Sequence, residues 1–187
     1  LHGKQHSFPT RRSSDLDEYV IISGHLDSYD VATGGIDCGT GIGPMMEAAR
    51  MIALSGAKPK RTILFVAFAG EEFGLLGAKA YVKTHAKELG KIANLFNRDG
   101  GPTPPVGISV HQAMYDDFVE VCKPVKEICA DYPFEVKVAK PFKRPTQSGG
   151  TDASVFAVEG VPTFGFNTQD KKGYNFSYGE IWQIGRA

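Results

Sequence analysis

Residues Thr62 to Gly74 read Thr-Ile-Leu-Phe-Val-Ala-Phe-Ala-Gly-Glu-Glu-Phe-Gly, an uncharged run to Ala69 followed at once by two adjacent glutamates. An apolar run without alternation predicts a central strand covered on both faces. Working outward, Tyr19 to Ser23 (YVIIS) is a short β-rich run opening into a loop at Gly24, and Ile92 to Phe96 predicts a third strand. Between the first two lies Thr40 to Leu54, where Ile42, Met45, Met46, Ala49, Ile52 and Ala53 keep the spacing of a helix with one buried face. Pro44 is tolerated there because it falls in the first turn. Gly74 to Leu89 predicts a second helix with Lys-rich exposed positions.

Gly100 to Pro105 then reads as a loop by its glycine and proline content. Tyr115, Phe118, Cys122, Val125 and Cys129 predict a helix kinked at Pro124. Phe134 to Val138 predicts a strand, Ala153 to Val158 a short helix and Val161 to Phe166 a last strand. Strands alternating with helices predict an α/β sandwich around a mostly parallel sheet. In such sheets, sites form in the loops beyond the carboxyl ends of the strands.

Composition agrees with this class. The 187 residues are 42% hydrophobic and 22% charged, the balance of one soluble globular domain, which excludes disorder, collagen and coiled coil. Lys plus Arg (21) cancels Asp plus Glu (21), so no global positive field draws nucleic acid or an anionic membrane. The apolar runs are far too short to span a bilayer. Three cysteines do not make a disulfide framework. Cys122 and Cys129, on one predicted helix, stand about 10 Å apart along its axis, too far to bridge.

The ends read differently. His6 to Leu16 (HSFPTRRSSDL) has no amphipathic period, and it resembles the translation of a common sequencing-adapter oligonucleotide, as does Gln183 to Ala187 (QIGRA). The alternative for the first segment is a basic, disordered arm or an Arg-rich targeting segment. Residues 1–16 and 183–187 are therefore taken as non-native and set aside. Without Lys4, Arg11, Arg12, Asp15 and Arg186 the chain keeps 17 basic and 20 acidic residues. The natural sequence is expected to run from about Asp17 to Trp182, cut at both ends, so no signal peptide can be sought.

Three successive strands end in groups able to hold a metal. After the first comes Gly24-His25-Leu26-Asp27-Ser28, and residues two apart on an extended chain share a face. A metal-bound imidazole usually gives its other N–H to a carboxylate, so His25 would be the ligand and Asp27 its orienter. The alternative is an ordinary His–Asp hydrogen bond. Next is Gly34-Gly35-Ile36-Asp37-Cys38-Gly39-Thr40-Gly41, whose alternative is Asp37 as a helix cap. It has no Gly-Lys-Ser/Thr ending, which argues against phosphate binding. Glu71 and Glu72 follow a fully apolar strand, where like charges either raise one another's pKa or need a cation. Their alternative is an exposed turn whose acids suit a helix dipole. Asn97-Arg98-Asp99-Gly100-Gly101 follows the third strand, with a plain Asp-Gly turn as its alternative. Together these supply one histidine and several carboxylates, the mixed donor set that suits zinc.

In order, these four motifs resemble those of the M28 zinc peptidases, with bacterial aminopeptidases and carboxypeptidase-Q-like dipeptidases as the most similar branch, over residues 17–182. The resemblance implies a three-layer α/β/α sandwich carrying two zinc ions. It implies His25 and Asp99 on one ion, Asp37 bridging both, Glu72 on the second, Glu71 as general base, and Asp27 as the partner of His25. The family's last ligand, a histidine near the C-terminal end, has no match before Trp182, and His85 and His111 are poor replacements. Relatives often carry Asp or Asn where Cys38 stands, after a cis peptide bond. Asp152, in Ser148-Gly-Gly-Thr-Asp152, matches a segment near the substrate pocket, with a helix cap as its alternative.

The activity implied is hydrolysis of a terminal peptide bond, with an acidic pocket for a free α-amino group and a peptide as partner. Glu71 would take the proton of a water activated between two metals and pass it to the leaving amine. Two rivals stand beside it: an inactive peptide-binding relative, and a one-zinc glutaminyl-cyclase-like acyltransferase. The resemblance also implies a secreted or periplasmic setting. Without the last histidine, the second zinc is expected to bind weakly.

Overall fold

The computed structural model describes residues 7–9, 15–99, 101–128, 130–139 and 144–168. Cys129, Trp182 and the segment Gln183 to Ala187 lie outside them, as do the first six residues and residues 10–14.

The predicted strands form the middle of a five-stranded sheet. Asp15–His25 (β2) is flanked in parallel by Arg61–Phe68 (β3) and Ile92–Asn97 (β4). Thr163–Phe164 (β7) pairs in parallel with β4, and Ser7–Pro9 (β1) runs antiparallel on the far edge of β3. That edge strand is an addition, because the segment it comes from was set aside and carries no period of its own.

Side-chain alternation explains why β3 is apolar throughout. Val66 and Phe68 pack with Ile21 and Leu95 under Ala78, Tyr81 and Phe156. Phe65 faces the opposite way, against Ile42 and Met45, with Ile63 and Ala67 beside it. Helix Gly39–Leu54 (α1) therefore covers one face, while Leu76–Thr84 (α2) and Asp152–Val158 (α4) cover the other. This is the expected three-layer α/β/α sandwich. Covering both faces buries Phe65, Val66 and Phe68 of β3 and half-buries Ile63, Leu64 and Ala67, at about 25 cal/mol per Å² of apolar surface removed from water.

Four expectations need correction. The second helix is shorter than Gly74–Leu89: residues 70–75 form a turn, and a separate 3₁₀ turn spans Leu89–Lys91. Pro105–Val110 (β5) is a strand that the loop reading ended short of. The last strand is two, β7 and Phe166–Thr168 (β8), parted at Gly165 and placed in different sheets. β5 and β8 join Glu135–Val138 (β6) in a second, three-stranded sheet. Helix Tyr115–Lys126 (α3) carries Pro124 and ends before Cys129. No helix among the described residues is long and apolar enough to cross a membrane.

Candidate metal centre

The site sits at the carboxyl ends of β2 and β4, on the face covered by α2 and α4. His25 is the last residue of β2 and is 2% exposed. Its Nε2 lies 2.7 Å from Asp37 Oδ1 and 3.2 Å from Asp99 Oδ1. Its Nδ1 lies 3.0 Å from the Asp27 carbonyl oxygen, which fixes the Nδ1–H tautomer and leaves Nε2 bare toward the two carboxylates. Two anionic oxygens against one ring nitrogen demand a positive charge, supplied either by a proton on Nε2 or by a cation. Burial opposes charge on His25, yet the Asp37 and Asp99 carboxylates outweigh it and push its pKa well up. Asp99 follows the same logic in mirror image: burial works against its ionisation, but hydrogen bonds from His25 and Thr151 hold it below the usual carboxylate range.

Asp37 arrives from the loop before α1. The Asp37–Cys38 peptide is cis. The N-cap position of α1 is Cys38 rather than Asp37, whose Oδ1 meets the histidine. A Cβ on Gly41 would collide with the Arg98 carbonyl and Cys38 Sγ; only glycine lets α1 start this close to the end of β4. Cys38 Sγ donates to the Arg98 carbonyl at 3.3 Å. His25, Asp37, Cys38 and Asp99 each bring a ligand atom within 4.8 Å of the others.

Glu71 and Glu72 sit in the turn between β3 and α2. The Gly74 and Leu75 amides donate back to the Glu71 carbonyl, and Gly70 and Gly74 take positive φ of 73° and 104° to let the chain double over. Both glutamates are half-buried rather than exposed turn residues, and with His25 they form a second triplet within 4.8 Å. Burial, with Asp99 nearby, pushes the Glu71 carboxyl up to about 7.

Asp27 does more than the sequence reading assigned to it. Its carboxylate stands 3.7 Å from His25 Nδ1, beyond hydrogen-bond reach, and accepts instead the backbone N–H of Glu71 at 3.0 Å and of Glu72 at 3.2 Å. The histidine is oriented by the Asp27 carbonyl, and the glutamate turn is held by the Asp27 side chain. Asp152 is 1% exposed, and neither oxygen has a hydrogen-bond partner among the described residues. Burial pushes it up to about 7, with Asp99 and Asp27 adding to the effect of burial. The residue capping α4 is Thr151, so the cap alternative for Asp152 is not realised. His85 and His111 stand apart from the cluster, with Nδ1 of His85 on the Tyr81 carbonyl and Nδ1 of His111 accepting from the Ala113 amide.

Two cavities meet at Asp37, Asp99 and Gly150. One of about 370 Å³ is lined by Tyr29, Glu71, Glu72 and Lys79; the other, about 620 Å³, by Ala153, Ala157, Phe164 and Phe166. Sequence reasoning missed Ser23, Asn97 and Thr151, which lie just beneath the cluster. The signal was available for Ser23, which precedes His25 by two residues on β2, the interval that shares a strand face.

The model of Peptidase family M28 matches residues 7–186. Carboxypeptidase Q of Mus musculus is 32% identical over 146 residues, 78% of this chain and 29% of its own length. A solved Peptidase M28 precursor from Shewanella amazonensis is 32% identical with a TM-score of 0.73, covering 88% of this chain and 35% of that one. A zinc aminopeptidase from Bacillus subtilis shares the fold, with a TM-score of 0.66 at 21% identity, covering 95% of this chain and 42% of that one. The chain thus spans less than a third of the length of the curated relatives it matches.

Proposed function

The chain belongs to peptidase family M28, and from that premise we propose that it forms part of a zinc-dependent exopeptidase that hydrolyses the terminal peptide bond of peptides or dipeptides. The observation that carries this reading is His25 Nε2 held between Asp37 and Asp99, with the half-buried Glu71 beside it. An imidazole nitrogen and carboxylate oxygens are the donors zinc accepts in hydrolytic sites, so the residues fit the ion. His25 and Asp99 would hold one zinc, Glu72 a second, and Asp37 both. Bound zinc supplies Lewis acidity to the scissile carbonyl and to the attacking water.

The protein's own groups do the rest. Glu71 is poised to take the proton of the attacking water, because burial places its carboxyl near neutral pH, where a base can both accept and return a proton. It then returns that proton to the leaving amine nitrogen. Asp27, through the Glu71 and Glu72 amides, fixes where those carboxylates point. The acidic wall of the smaller cavity suits a free α-amino group, which directs cleavage to chain ends. Asp152 is kept as a candidate for substrate contact, although it lines neither of the two cavities. Residues 17–182 are assigned to this catalytic domain, with residues 1–16 and 183–187 assigned as foreign to it.

Release of free amino acids from unblocked peptides, with zinc content measured on the same sample, tests the reading. Hydrolysis that stops on N-acetylation and on chelation supports it. Cyclisation of N-terminal glutamine with a single zinc would select the acyltransferase rival. Peptide binding without turnover would select the inactive relative.

A further inference from the structure

Four prolines leave carbonyl oxygens short of donors around the metal centre. Pro44 lies inside α1 and has no N–H, so the Thr40 carbonyl lacks the donor that a regular helix places four residues on. Beyond Asp99 the chain reads Gly101-Pro102-Thr103-Pro104-Pro105, and its three prolines leave that loop few donors for its own carbonyls. One side chain meets both needs. The half-buried Arg98 donates from Nε to the Thr40 carbonyl at 3.2 Å, and from Nη2 to the Gly101 carbonyl at 3.2 Å and the Thr103 carbonyl at 3.0 Å.

Those carbonyls belong to the segments that carry the two carboxylates meeting at His25. Thr40 follows Asp37 by three residues, and Gly101 follows Asp99 by two. Two more bonds tie the same segments together: Thr40 Oγ1 donates to the Gly101 carbonyl at 3.1 Å, and Cys38 Sγ to the Arg98 carbonyl at 3.3 Å. The Arg98 N–H donates to the Ser23 carbonyl of β2 at 2.9 Å. Asp99 thus stands between two pinned residues, Arg98 and Gly101, and both are tied to the start of α1, just after Asp37. An ammonium or an amide offers a single donor nitrogen, whereas the planar guanidinium reaches Thr40 from one nitrogen and Gly101 and Thr103 from another. Its fork is rigid, so it fixes the spacing of the segments as well as supplying the bonds.

We infer that Arg98 is a positioning residue for the metal centre: its guanidinium clamps the loop after Asp99 to the start of α1, and so sets how Asp99 and Asp37 converge on His25. The inference rests on the reading of both carboxylates as zinc ligands. Nothing in it requires Arg98 to touch substrate or metal.

Zinc affinity of the metal-free protein, measured by competition with a chromophoric chelator and with circular dichroism to check folding, tests the clamp. Arg98→Met keeps an unbranched stem without donors and is expected to weaken zinc binding roughly 10–100-fold. Arg98→Lys, with one nitrogen in place of the fork, recovers part of that loss. Ile92→Ala removes buried packing at the end of β4 away from Asp99, so it shows what lost stability does by itself, and it should leave zinc affinity near that of the parent. An equal loss of zinc in Ile92→Ala, or unchanged affinity in Arg98→Met while Asp99→Ala loses zinc, overturns the clamp and leaves the ligand assignment standing. Unchanged affinity in Asp99→Ala overturns both. If Arg98→Met does not fold, Arg98→Lys and Thr40→Val each remove part of the clamp: weaker zinc binding in either, with folding intact, supports it, and no loss in either counts against it.

Discussion

Asp27 grips Glu71 by its backbone, with Oδ1 accepting the Glu71 N–H at 3.0 Å while Oδ2 takes the adjoining Glu72 N–H at 3.2 Å. One side chain thus sets the turn that carries both glutamates, while the carbonyl of the same residue sets the tautomer of His25. Asp27→Ala should free both amides. The expected result is a fall in kcat of roughly 10–100-fold with a smaller change in zinc content. Steady-state kinetics beside metal analysis decides it, and an equal loss of zinc would place Asp27 with the ligands instead.

Glu71→Gln keeps the shape and the backbone bonds of the turn but cannot accept a proton. Turnover should drop roughly 10²–10⁴-fold, the usual contribution of a positioned general base, while zinc stays bound. Retained hydrolysis would remove Glu71 from its assigned role.

The metal-free protein should lose stability as pH rises. Glu71 and Asp152 both have folded pKa values raised to about 7, above their ordinary values of 4.5 and 3.8. Between those values and 7 the folded state holds protons that the unfolded state has released, so stability falls with increasing pH. His25, raised from 6.5, adds to the same slope above that point, because its proton too is held more tightly in the folded state. Thermal melts from pH 5 to 8 should show the midpoint decreasing, and Asp152→Asn should flatten the trend. Zinc should reverse it, stabilising more at pH 8 than at pH 5, since the ligands must shed protons to bind.

Gly41→Ala should be costly although it lies outside the proposed ligand set. The added methyl would meet the Arg98 carbonyl and the Cys38 sulfur, which brace the loops carrying Asp37 and Asp99. Overpacking of this kind costs about 1–3 kcal/mol, read from urea unfolding, and zinc affinity should fall with it. The equivalent change at Gly43, which has nothing within 4 Å of the added carbon, serves as the control.

Much of the fold was legible because burial on both faces leaves an unambiguous trace. β3 could be nothing but a central strand, and the spacing of Ile42, Met45 and Ile52 gave α1. β5 escaped because Pro105 and Gly107 interrupt its pattern; Gly107 is there because a side chain would strike the Glu135 carbonyl of the neighbouring strand. β7 and β8 read as one strand because the turn at Gly165, which passes the chain between sheets, leaves no mark on hydrophobicity. α2 was overextended because the turn that holds Glu71 and Glu72 has the composition of a helix start.

The amino-acid sequence alone determined the class of fold, the family, and which side chains stand at the ends of adjacent strands, because periodicity and motif order are local properties of the chain. Only the folded structure decided that Asp27 serves two masters through different atoms, that Asp152 is buried without a hydrogen-bond partner among the described residues, and that Ser23, Asn97 and Thr151 are joined by hydrogen bonds. Those facts depend on directions and distances between residues up to 128 positions apart in the chain, from Ser23 to Thr151. No one-dimensional pattern encodes them, since hydrogen bonds are fixed by how the sheet and its loops bring donors and acceptors face to face.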